Sequence, residues 1–213
     1  MASPQAAALQ LLQDFQQLQA HRAELYSRLG EGFRDFLGSG QEGLLAQLMA
    51  QHITPGFTAV SQQVIAIESC LKSSAVARPD LAGLLRQVQE LERDKLRLTL
   101  SWQALRAAHA SGRFSWQSAA DRPRLSKATS KQQQQQQQTK QDVAGMLQQM
   151  QLRGGDDCGL GPPDPLDAGS MEPTEAEYNA AVREALQQLD ECVVGINEVL
   201  QEVQEAVTEL QEV

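Results

Sequence analysis

The sequence predicts an all-α protein, an elongated antiparallel helical bundle or coiled coil of about four long helices with a disordered insert. Three observations predict it. Aromatic residues make up only 4% of the 213 positions, while Leu, Ala and Gln dominate, a composition that suits long helices. Apolar residues recur at three- and four-residue spacing over four separate stretches, and no β-branched alternation bounded by hairpin turns appears. Between residues 111 and 171 that periodicity is lost.

The first helix is expected from Pro4 to Leu37, with Ser3 as N-cap and Pro4 in the first helical position. Its stripe reads Leu11, Phe15, Leu18, Arg22, Leu25, Leu29, Phe33 and Phe36. "GSG" at 38–40 ends it, and Gly30 and Gly32 weaken its last turns. Residues 41–51 form a short helical piece. A fresh start follows at "ITPGF", with Thr54 as N-cap, Pro55 as first helical residue, and a stripe of Phe57, Val60, Val64, Ile67 and Leu71. Ser73 and Ser74 open a loop, and Pro79 with Asp80 start a third long helix that reaches Ala110.

Counted in sevens, that third helix has the seam Leu81, Leu84, Val88, Leu91, Lys95, Leu98, Trp102 and Leu105. Lys95 is its one charged member. A catalytic lysine needs a desolvated pocket with a partner acid or a carbonyl substrate, and no surrounding motif supplies one. The lysine is therefore read as a register-setting residue, its stem packed on Leu91 and Leu98 and its head turned towards Glu92 or another helix. On that reading Lys95→Met keeps or raises stability. Leu85, Leu96 and Leu100 lie off the seam and offer a second apolar face for another helix to cover.

The last helix begins near "EPTEAEY", at Pro173 or Thr174. Its stripe is Tyr178, Val182, Leu186, Leu189, Val193, Ile196, Leu200, Val203, Val207 and Leu210. Glu198, Glu202, Glu205, Glu209 and Glu212 fall on the opposite side. Like charges stacked at this spacing make an isolated helix poor, so it must pack on something. The expected organisation is a three-helix core over 1–110, a disordered Gln-, Gly- and Pro-rich insert over 111–170, and an acidic helix over 171–213 that closes on the core. The insert contains "KQQQQQQQTK" and "RGGDDCGLGPPDPLDAGS", too polar and glycine-rich to offset the entropy of ordering.

Charge is distributed unevenly. The net charge is −9, yet residues 172–213 alone carry −10, from ten Glu and one Asp against one Arg. Residues 97–140 carry +7, eight Lys and Arg against Asp121. Arg106, Arg113, Trp116, Arg122, Arg124 and Lys127 are thus the candidate nucleic-acid contacts, cations for phosphates and an indole for stacking. The cations are spaced at one per five or six residues, and direct binding is disfavoured against the reading as a solvated linker. Glu198, Glu202, Glu205 and Glu209 are the candidate contacts for a basic protein partner.

No cofactor, metal or catalytic residue is expected. His21, His52 and His109 sit on three segments, no CxxC or HxxxH spacing occurs, and the phosphate-binding and nucleophile motifs are missing. No 18-residue apolar run is present, so no membrane association is expected. "MASPQAAALQ" has no signal-peptide character, which together with three well-separated cysteines predicts an intracellular protein. It is expected to be a monomer or a homodimer.

"HRAELYSRLGEGFRDFL" (21–37), "ITPGFTAVSQQVIAIESCL" (53–71) and "RPDLAGLLRQVQELERDKLRLT" (78–99) together resemble the required-for-excision family, B type. The matching positions are Arg22, Leu25, Tyr26, Phe33, Ile53, Thr54, Phe57, Ile67, Arg78, Pro79, Asp80, Leu81, Gln89, Glu92, Lys95, Leu96 and Thr99, with "INEVLQEV" (196–203) as a further match. These are packing patterns, not catalytic motifs. The resemblance implies a non-catalytic nuclear factor in DNA excision repair that works through protein partners. The competing reading is a coiled-coil scaffold unrelated to repair.

Overall fold

The computed structural model describes residues 3–117 and 172–212, and among these every regular element is helical. In chain order they are α1 (Pro4–Ser39), α2 (Glu42–Leu48), a π-helical turn (Met49–Ile53), α3 (Thr54–Lys72), α4 (Pro79–Ala110) and α5 (Glu175–Glu212). The chain divides into two compact units, residues 1–102 with 184–213, and residues 103–183. The fold is all-α, as composition and periodicity predict.

In the first unit, α1 starts where Ser3 accepts a hydrogen bond from the Ala6 N–H through its hydroxyl. It ends at Gly40, whose φ of 69° places it in the left-handed region and directs its N–H to the Phe36 carbonyl. Gly32 does not end the helix early. A Cβ there would collide with Leu48, so this glycine lets α2 approach α1 closely.

α3 starts at Thr54 with Pro55 in its first turn, as expected, but Thr54 does not act as an N-cap. Thr54 has helical φ and ψ (−60°, −50°), and the backbone runs without a break from α2 through the π turn into α3. The physical reason is Pro55. It has no N–H to donate, and its ring would crowd the carbonyl four residues earlier in a regular α-helix. The wider π turn, in which the Thr54 N–H reaches the Met49 carbonyl, relieves that crowding. Ile53 at this turn is fully buried.

Contacts fix the directions of the helices. Tyr26 meets Phe57 edge-on at 4.8 Å, and Arg22 and Ser61 share Gln89 as a partner, so α1 and α3 are antiparallel. Arg22 with Gln89, Tyr26 with Glu92 and Phe33 with Trp102 make α1 and α4 parallel. The link from α3 to α4 turns at Ala77, a non-glycine residue at φ 53°, and Arg78 then clamps Asp80 through two nitrogens at 2.7–3.1 Å. That clamp holds the Asp80 carboxyl below its usual pKa and places a negative charge at the start of α4. In α5, Gly195 lies against Leu91 of α4, and Gln204 accepts a hydrogen bond from Gln16 of α1. Side chains such as Leu12, Phe15, Leu29, Val64, Leu71, Leu85, Val88 and Val203 form the core.

Two seams are displaced from their predicted lines. On α4 Leu81, Ala82, Leu85, Val88, Glu92, Leu96 and Leu98 are buried, so Leu85 and Leu96 are covered as core residues and Glu92 joins them. On α5 the buried line within this unit is Ala185, Cys192, Ile196, Val199, Val203 and Val207, whereas Leu186 and Val193 are exposed.

In the second unit, order continues past the expected boundary at Ser111, through Gln117. Phe114 and Trp116 stack at 5.2 Å with a 7° interplanar angle, and His109 stacks on Tyr178 at 5.1 Å. The Trp116 indole donates to the Pro173 carbonyl at 2.9 Å, and the Ser115 N–H donates to Glu172. Thr174 caps α5. Its hydroxyl accepts from the Glu177 N–H while Glu177 accepts from the Thr174 N–H, a reciprocal capping box that lowers the Glu177 pKa. The glutamine run and the rest of 118–171 lie outside the described residues.

Candidate functional site: a buried polar cluster in the helical core

Polar residues interrupt the apolar stripes of α1 and α4 at the same level. Arg22 is 2% exposed. One of its terminal nitrogens donates to Gln89 Oε1 at 2.5 Å, and the other lies 3.4 Å from Gln19 Oε1. Gln89 in turn donates to the Ser61 carbonyl at 3.1 Å, which ties α3 into the same network. One turn along α4, Glu92 is buried and 3.5 Å from Lys95 Nζ. Lys95 Nζ also sits 4.0 Å above the centre of the Tyr26 ring, a cation–π contact. Tyr26 completes the arrangement by donating its hydroxyl to the Glu92 carbonyl at 3.3 Å.

The electrostatics follow from desolvation. Burial lowers the pKa of Arg22, and the negative charge of Glu92 opposes that shift. Burial raises the Tyr26 phenol far above its usual range, assisted by the charge and hydrogen bonding of Glu92, so Tyr26 remains a neutral donor. Cys192 of α5 lies close enough to feel Asp94, Arg97 and Lys95, but desolvation dominates and raises its thiol pKa, which makes it a poor nucleophile. Two cations and one carboxylate are therefore committed to one another inside the bundle. Glu92 Oε2 is buried and receives no hydrogen bond from the described residues.

Such an arrangement discriminates between helix registers. Sliding α4 by one turn so that Leu85 replaces Gln89 opposite Arg22 would strand the guanidinium against an apolar side chain, at a cost of several kcal/mol. Lys95 does turn towards both Glu92 and another helix, as its position in the seam predicts. The expectation that Lys95→Met keeps or raises stability is reversed by the geometry, because the methionine would leave Glu92 without its closest cation. A loss of about 1–2 kcal/mol is expected, measurable as a lower urea midpoint with unchanged slope.

The other sequence-derived candidates lie elsewhere. Glu198, Glu202, Glu205 and Glu209 are exposed on α5. Arg106 and Arg113 are exposed, while Arg122, Arg124 and Lys127 fall outside the described residues. Trp116 is half-buried, with its ring stacked on Phe114 and its N–H bonded to the Pro173 carbonyl. Among the described residues no group of three or more His, Cys, Asp or Glu is placed to hold a metal ion, and no helix is long and apolar enough to cross a membrane.

Periodicity placed Arg22 and Lys95 in their apolar stripes, with Glu92 as a partner for Lys95, but did not bring Arg22 and Gln89 to the same site. Gln89 and Glu92 stand off the heptad seam of α4. Their signal was in the family resemblance, whose polar positions include Arg22, Tyr26, Gln89, Glu92 and Lys95. In the structure these five converge on one cluster.

Comparison with known proteins bears on the same stretch. Residues 10–106 match the family described as DNA repair REX1-B. Over 89 residues the chain is 37% identical to a required for excision 1-B domain-containing protein of Bos taurus, an alignment that covers 41% of this chain and 49% of that protein. Over 88 residues it is 38% identical to a protein of the same name from Mus musculus, covering 40% and 52%. The chain thus spans about half the length of the curated relatives it matches. No solved structure matches it. The cluster from Gln19 to Lys95 falls wholly inside the stretch that matches the DNA repair REX1-B family.

Proposed function

We propose that this chain is a non-catalytic accessory factor in DNA excision repair, acting in the nucleus through helix-mediated contacts with other proteins of that process. The observation that carries the reading is the match of residues 10–106 to a family described by DNA repair. The geometry of the cluster supports the non-catalytic part. Arg22, Tyr26, Gln89, Glu92 and Lys95 pair with one another within the helical core, so their role is to specify how the helices assemble. What such an assembly offers to other molecules is its outer helical surfaces.

The test is survival after ultraviolet irradiation. In a eukaryotic strain deleted for its own required-for-excision 1-B protein, survival is expected to fall and to be restored by this chain. Restoration should persist when Cys192 is replaced by Ser, since its thiol performs no chemistry. Undiminished survival of the deletion strain would remove the repair assignment and leave a helical scaffold of other purpose. Rescue that depends on the Cys192 thiol, with folding intact, would remove the non-catalytic one.

A further inference from the structure

The exposed apolar side chains of the described residues are not evenly spread. Five large ones are exposed, Leu44, Ile65, Leu186, Val193 and Val194, and three of these lie within nine residues of α5. Leu186 is 44%, Val193 40% and Val194 56% exposed. On a helix, the surface neighbours of residue i are i±3 and i±4. For Asp190 these are Leu186, Gln187, Val193 and Val194. An exposed carboxylate is thus surrounded by three exposed apolar side chains and one amide.

The rim of this patch is acidic. Asp190, Glu191 and Glu198, with Gln187, Val194 and Gly195, line a shallow depression on the helix surface. From residue 184 to 212 the chain contains seven Glu and one Asp but no Lys or Arg. None of these carboxylates forms a salt bridge with another described residue. Like charge opposes a second copy of the same face, whereas an incoming lysine or arginine fits it on both counts. Its methylene stem can lie on Leu186, Val193 and Val194 while its head reaches Asp190 and the rim.

We propose that the face of α5 centred on Asp190, with Leu186, Val193 and Val194 around it, docks a basic amphipathic helix of a partner protein. This rests on the protein-contact reading above and names the chemistry of the partner. Apolar contact supplies affinity and the carboxylates supply orientation and rate of encounter. The surface differs from the one expected from the glutamate spacing alone. Glu202, Glu205 and Glu209 extend its charge, but the apolar centre at Asp190 lies about three to five turns nearer the start of the helix.

The probe is a fluorescent helical peptide of Leu and Lys in amphipathic order, titrated with the full chain and read by anisotropy. A peptide of the same composition in scrambled order controls for charge alone. The ordered peptide is expected to bind about tenfold more tightly than the scrambled one. Leu186→Ser with Val193→Ser and Val194→Ser should weaken it about tenfold, and Asp190→Asn roughly threefold, with the melting curve unchanged because all four side chains are exposed. Equal affinity for the two peptides would overturn the proposal, as would binding indifferent to the triple substitution. Two further outcomes would also overturn it. One is a dimer in light scattering that the triple variant converts to monomer, which makes a second copy the occupant. The other is binding that appears only when Arg122, Arg124 and Lys127 are changed to Gln, which makes that basic stretch the occupant. Absent peptide binding with intact rescue of ultraviolet survival removes this surface alone, whereas binding without rescue removes the repair reading alone.

Discussion

Replacing Arg22 by methionine should lower the free energy of unfolding by about 3 kcal/mol, a shift of roughly 10 °C in melting temperature for a protein of this size. The side chain is almost wholly buried, and its guanidinium joins Gln19 and Gln89 while facing the charge of Glu92. Methionine fills much of the volume but leaves the Gln89 oxygen without its donor and Glu92 with Lys95 as its one nearby cation. Removing one member of a buried charged set is more damaging than removing all of it. Arg22→Met combined with Glu92→Leu should therefore recover part of the loss, giving a coupling of about 1 kcal/mol or more in a double-mutant cycle. Far-UV dichroism against urea measures both. Strict additivity of the two changes, or a loss for Arg22→Met below about 0.5 kcal/mol, would show that the cluster does not act as a unit.

Val203→Asp should have the larger effect and should act on α5. Val203 has no exposed surface and sits in the middle of the buried line of that helix. A carboxylate buried there must either protonate or leave, at a cost of several kcal/mol. The helix itself is poorly suited to stand alone, with carboxylates repeated along one face and Glu209 and Glu212 in its last turn. Residues 184–212 are therefore expected to lose their amide protection in hydrogen exchange, with a matching fall in helicity. Glu202→Gln with Glu209→Gln, both exposed, should leave the melting temperature nearly unchanged. A dimer that Val203→Asp turns into a folded monomer would show that the buried side of α5 belongs to a neighbouring copy.

The residues themselves determined the class of fold, the ends of α1 and the start of α4. Ser3, Pro4, Gly40, Pro79 and Asp80 act through bonds to backbone within a few residues, so their consequences are local and can be read in order along the chain. The family resemblance was legible for the same reason, since it rests on spacing along single helices. At Pro55 local rules gave a capped helix start, and the structure has a π turn that leads into α3 without a break. There the packing of Ile53 and Phe57 holds the chain helical on both sides of the proline, and a wide turn costs less than exposing them.

Only the tertiary structure decided which face of each helix is the inner one and what the polar interruptions meet. A helical stripe read from sequence is uncertain by about one residue, or roughly 100° of rotation. That rotation separates Leu84 from Leu85 on α4 and Val193 from Cys192 on α5. It moved Glu92 into the core and turned Leu186 and Val193 out of it. Arg22, Tyr26, Gln89, Glu92 and Lys95 span more than seventy positions of the chain. Their meeting depends on the relative register of α1 and α4, a property of the packed assembly and not of any one segment.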